Sequence, residues 1–85
     1  MSTPTAHEDV RWGDEAVDPR ERSLPGLKAK FLVDHAPPEG TLVEVGCGEG
    51  KLLRTLSRLR PKLTLSGCDI RVPQRTPDVF DFTKV

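Results

Sequence analysis

Seven consecutive residues, Glu44, Val45, Gly46, Cys47, Gly48, Glu49 and Gly50, hold the chemistry most readily read from this sequence. Glycines at alternate positions follow a carboxylate. A chain that turns sharply needs positive φ or no Cβ, and a ligand resting on bare backbone needs the same absence of side chain. A second carboxylate, Asp69, stands 19 residues after Gly50. There it can accept hydrogen bonds from both hydroxyls of a ribose, being an acceptor with several lone pairs. Two other glycine-loop chemistries fail on spacing. A Walker-type phosphate loop needs glycine and Ser or Thr where Val45 and Leu52 stand, and a dinucleotide loop begun at Gly46 needs glycine where Lys51 stands.

The elements that must position these residues follow from pattern. Residues 41–45 form a short β-rich run after a Pro-Pro-Glu-Gly turn, the length and composition of a buried strand. Beyond the glycines, Leu52, Leu53, Leu56 and Leu59 recur at helical spacing until Pro61 forbids continuation. Residues 63–70 then alternate apolar and small side chains into Asp69 and Ile70, a second strand. Strand, glycine loop, helix and strand make a βαβ unit, whose right-handed crossover sets the two strands parallel. Upstream, Ser23 caps a helix over residues 24–36 that aligns Leu24, Leu27, Phe31 and Leu32 or His35 on one side and stops at Pro37 and Pro38. Downstream, Val79, Phe80 and Phe82 form a short third strand. Residues 1–22 are polar and without apolar periodicity, so they are expected to be a mobile leader with Trp12 as its anchor, and residues 23–85 the folded part.

An acid followed by G-x-G-x-G between a β-run and an amphipathic helix resembles motif I of the class I S-adenosylmethionine-dependent methyltransferases. The resemblance covers roughly residues 24–82. It implies an α/β fold, an incomplete Rossmann-like three-layer αβα sandwich with a short parallel sheet. It also implies S-adenosyl-L-methionine as cofactor. Gly46, Cys47, Gly48 and Gly50 would carry its methionine part, Glu44 its amino group, Asp69 the ribose and Ile70 the adenine ring. Asp81 or Phe82 could match adenine-edge contacts after the third strand. However, the connection before that strand has two prolines and is shorter than the dozen or so residues a parallel crossover generally takes.

Composition bounds the rest. Eighty-five residues allow one small domain, and 13 basic residues against 13 acidic give no field favouring nucleic acid or an anionic membrane. The basic run from Lys51 to Lys62 reads as a solvated helix face, with a phosphate-binding surface as the alternative. Two cysteines, Cys47 and Cys68, are too few for a disulfide framework or a zinc site and read as small buried thiols. No metal site is expected, and no run of about 18 apolar residues suggests a membrane span. A cytoplasmic location fits. The expected function is the S-adenosylmethionine-binding part of a methyltransferase, too short to be active alone, with methyl acceptor and catalytic residues unassigned. The alternatives are a non-catalytic methyltransferase-like interaction module and an NAD-binding Rossmann fragment. Self-association, or a partner chain that completes the sheet, is expected at the first strand.

Overall fold

The computed structural model describes residues 12–75 and 77–85 of the chain. Helix α1 (Leu24–His35) starts where Ser23, extended at φ −150°, accepts a hydrogen bond on its side chain from the Gly26 N–H at 3.1 Å. It stops where the Ala36 N–H closes on the Leu32 carbonyl and Pro37 follows. Strand β1 (Glu39–Val45), helix α2 (Lys51–Leu59) and strand β2 (Lys62–Asp69) form the anticipated βαβ unit, and a short β3 (Asp81–Lys84) completes the sheet. The strand order is β1-β2-β3, all parallel. β1 begins two residues before the expected start, because its pairing with β2 runs back to Glu39 opposite Lys62.

This is a small α/β architecture compatible with an incomplete Rossmann-like fold. Leu42 and Leu65 are register partners, as are Glu44 and Gly67, and Gly67 in turn faces Phe82, so these residues share one side of the sheet. α2 covers that side with Leu53, Leu56 and Leu59, all buried, and α1 packs on α2. The opposite side is open: Val43 is 60% and Val45 83% exposed. Among the described residues no helix lies there, so two of the three expected layers are present.

The third strand corrects one expectation. Residues 70–80 connect β2 to β3 without a helix among the described residues, yet the pairing is parallel. Asp81 pairs with Ser66, so the chain needs to climb back only from the level of Asp69 to that of Ser66. That is about 10 Å at the usual strand rise, well within the reach of the segment without a crossover helix.

Three further expectations give way. The large apolar residues of α1 do not face the core: Leu24, Leu27 and Phe31 are 66%, 62% and 61% exposed. The buried face is instead Gly26, Ala29 and Val33, small residues that admit close neighbours. A Cβ on Gly26 would stand 2.0 Å from the Glu21 carbonyl oxygen. Residues 12–22, expected in the leader, lie against α2, with Trp12, Ala16 and Val17 buried. The Thr55 hydroxyl accepts from the Val17 N–H at 2.9 Å, and it lies 2.7 Å from the Val17 carbonyl, to which it can donate. Residues 1–11 of the expected leader fall outside the described residues. Finally, the basic run is neither a solvated face nor a phosphate surface in its arginines. Arg54 donates to the Glu49 carbonyl and lies over the Phe80 ring; Arg58 reaches the Trp12 carbonyl and Glu15, and Arg60 the Val33 carbonyl.

Candidate cofactor-binding site

The loop between β1 and α2 is held on β2 by a shared acceptor. The N–H groups of Gly46 and Cys47 both donate to the Cys68 carbonyl, at 2.8 and 3.0 Å, and Gly50 N–H closes a turn on the Cys47 carbonyl. Gly46, Gly48 and Gly50 have φ of 73°, 58° and 81°, the left-handed region where a Cβ is disfavoured. Their surroundings differ. Among the described residues nothing lies within 4 Å of where a Cβ would stand on Gly46 or Gly48, so that backbone faces open space, whereas on Gly50 it would meet the buried Phe80 ring at 2.4 Å. Gly46 and Gly48 thus leave room for a ligand, and Gly50 leaves room for the fold.

The structure brings Asp69 to this loop. Its carboxylate accepts from the Gly48 N–H at 2.8 Å and from the Arg71 N–H at 3.2 Å. The Gly48 bond first, then that from Arg71, holds the Asp69 carboxyl below the usual aspartate range, so it stays ionised. Each oxygen keeps a further lone pair for a ligand hydroxyl. Ile70, next along and 70% exposed, presents a bare apolar side chain beside it.

Glu44 lies on the other side of the loop, near the end of β1 and half-buried. Its Oε1 is buried and has no hydrogen-bond partner among the described residues. Burial raises its carboxyl above the usual glutamate range, and the charge of Lys28 works against that rise. The Glu44 side chain borders a cleft of about 400 Å³, shared with Gly46, Cys47, Val17, Leu24, Pro25, Lys28 and Lys51 among others. Burial, then the Glu44 charge, pushes the Cys47 thiol up, so it stays protonated and acts as a small packing group. Asp81 is the first residue of β3 and pairs with Ser66, not at the carboxyl end of the sheet where Asp69 faces Lys84, so the adenine-edge role considered for it has no geometry behind it. Neighbouring Phe82 faces Gly67, on the side covered by α2.

Spacing missed three neighbours of the loop. Glu49, inside the glycine motif, accepts from the Gln74 N–H at 2.9 Å and from the Arg75 N–H at 3.4 Å, and so ties residues 70–80 to the loop. Val17 and Lys28 reach the cleft from outside the βαβ unit, and no motif marks them.

A parallel sheet, a backbone-lined loop at the strand ends and carboxylates flanking that loop together make a candidate ligand site. Comparison with known proteins finds similarity to part of a group of methyltransferases. The chain is 31% identical over 81 residues to ribosomal RNA small subunit methyltransferase C of Klebsiella pneumoniae subsp. pneumoniae, an alignment covering 82% of this chain and 24% of that protein. The same figures hold for the proteins of that name from Escherichia coli O9:H4 and Shigella flexneri serotype 5b. The chain spans about a quarter of the length of these relatives. No family model and no solved structure matches it.

Proposed function

We propose that this chain binds S-adenosyl-L-methionine and forms the cofactor-binding part of a methyltransferase. The observation that carries the reading is the orphaned, buried Oε1 of Glu44 beside a loop whose glycines leave open space at the end of β1. An unpartnered buried carboxylate oxygen is costly unless a donor completes it. The ammonium of an amino-acid end is such a donor. Gly46, Cys47 and Gly48 offer backbone against which the chain of that amino acid lies, and Gly50 fixes the turn into α2. Asp69 accepts from the ribose hydroxyls and Ile70 packs on the adenine face. When bound, the cofactor supplies a methyl group on a sulfonium, ready for displacement by an acceptor nucleophile. The task of this chain's residues is to hold that group in line, and positioning of this kind supplies much of the rate in a displacement. No residue is assigned as a general base. The acceptor we carry over from the names of the relatives is RNA, with a cytoplasmic setting.

Thermal unfolding with added S-adenosylhomocysteine or NADH tests the reading, since a ligand that binds the folded state raises its melting temperature. S-adenosylhomocysteine is expected to raise it and NADH to leave it unchanged. Stabilisation by NADH alone sinks the reading in favour of an NAD-binding fragment. Among the described residues the outer edge of β1 is unpaired, which favours a second reading, an interaction module that completes its sheet with a partner, in which case neither ligand shifts the transition.

A further inference from the structure

The cleft beside Glu44 has a second charged wall. Lys28 lines it from α1, one helical turn after Leu24, and Leu24, Pro25 and Val17 supply apolar surface between. Lys28 is exposed and its ammonium is not ion-paired with Glu44, although its charge acts on the Glu44 carboxyl. Lys51 also borders the cleft, from the first turn of α2. A carboxylate and an ammonium that face one cleft without bonding to each other leave a gap between opposite charges. An α-amino acid has the complementary arrangement, an ammonium and a carboxylate separated by one carbon. Pairing each with its opposite across the gap satisfies the orphaned Glu44 oxygen and the lysine together.

We propose that Lys28 receives the α-carboxylate of the bound ligand while Glu44 receives its α-ammonium, so that the site selects ligands with an intact amino-acid zwitterion. This rests on the S-adenosylmethionine reading above and adds α1, outside the βαβ unit, to the binding site. The apolar wall of Leu24 and Pro25 then lies along the methylene groups that join the zwitterion to sulfur.

Calorimetric titration of the 85-residue chain with S-adenosylhomocysteine and with its decarboxylated analogue, which keeps the amine and lacks the carboxylate, tests the assignment. The unmodified chain is expected to prefer S-adenosylhomocysteine about tenfold, the effect of one hydrogen bond to a charged group. In Lys28→Met that preference disappears, because affinity for S-adenosylhomocysteine falls by the same factor while affinity for the analogue is unchanged. In Lys51→Met the preference stays. Lys28 is exposed, so its replacement leaves the core untouched, and a circular-dichroism melt of each variant checks this. If Lys28→Met keeps the preference, or if Lys51→Met loses it instead, the assignment is overturned while the cofactor reading stands. If the unmodified chain binds neither adenosyl ligand, the cofactor reading falls and takes this inference with it.

Discussion

The glycines of the loop separate function from folding at single residues. Gly46→Ala adds a methyl group into open space at positive φ, with an expected loss of about 1 kcal/mol of stability. Gly50→Ala has the same backbone strain plus a collision with the buried Phe80 ring, and the expected loss is about 2 to 4 kcal/mol. Urea denaturation of the two variants reads the difference; equal midpoints would refute the distinction. Glu44 shows the same division in its titration. Its folded-state carboxyl is raised by burial, so its contribution to stability is full below the ordinary glutamate value and is lost as pH rises through the folded value. The ionised side chain is therefore a burden on the empty fold at neutral pH. Glu44→Gln is expected to raise the melting temperature at pH 7, with the gain vanishing in acid, and to weaken binding of S-adenosylhomocysteine. A variant less stable than the parent at pH 7 would count against the orphaned carboxylate. Asp69 has the opposite sign: its stabilising bond from Gly48 is present above the ordinary aspartate value and is lost as pH falls through the depressed one. Asp69→Asn should weaken nucleoside binding at neutral pH, because a neutral amide oxygen is a poorer acceptor than a carboxylate, and titration measures the loss.

Between elements, the tightest tie is Thr55, which satisfies both main-chain groups of Val17 with one hydroxyl. Thr55→Val keeps the shape and strands a buried N–H and C=O, at an expected loss of about 1 to 3 kcal/mol. Limited proteolysis should then cut residues 12–22 first; uniform protection would show that apolar packing of Trp12 alone holds them. This tie explains what the sequence could not reveal. The leucine spacing of α2 and the glycine spacing before it made the βαβ unit legible, because each pattern has one physical reading. Residues 12–22 dock through three scattered apolar residues, Trp12, Ala16 and Val17, together with main-chain groups and an arginine, which leave no periodicity. The face of α1 was misread because large apolar side chains ordinarily mark the core, whereas here close packing on α2 and the Glu21 backbone selects Gly26, Ala29 and Val33. Lys28 belongs to the same blind spot, since its meaning comes from where α1 lies.

At the scale of the molecule, among the described residues β1 pairs on one side only and has its open face beside that unpaired edge. Unpaired main-chain groups next to exposed Val43 and Val45 invite another strand. The chain is expected to self-associate with rising concentration, and Val43→Lys to shift it toward monomer, as sedimentation velocity will show; a monomer at every concentration removes the edge from consideration. The pairing of β1 with β2 could be anticipated from the βαβ unit, but the placing of both helices on one side and the helix-free return to β3 could not. It depends on β3 starting level with Ser66 rather than at the base of β2. The arginines of α2 and its C-cap have a consequence of another kind. Their acceptors include the carbonyls of Glu49, Trp12 and Val33, which are dipoles rather than ions. Dissolved ions shield charge from charge over about 10 Å at 0.1 M, but do little to a short bond between a guanidinium and a half-buried carbonyl. Although 31% of its residues are charged, the chain should therefore fold much the same at low and at high ionic strength.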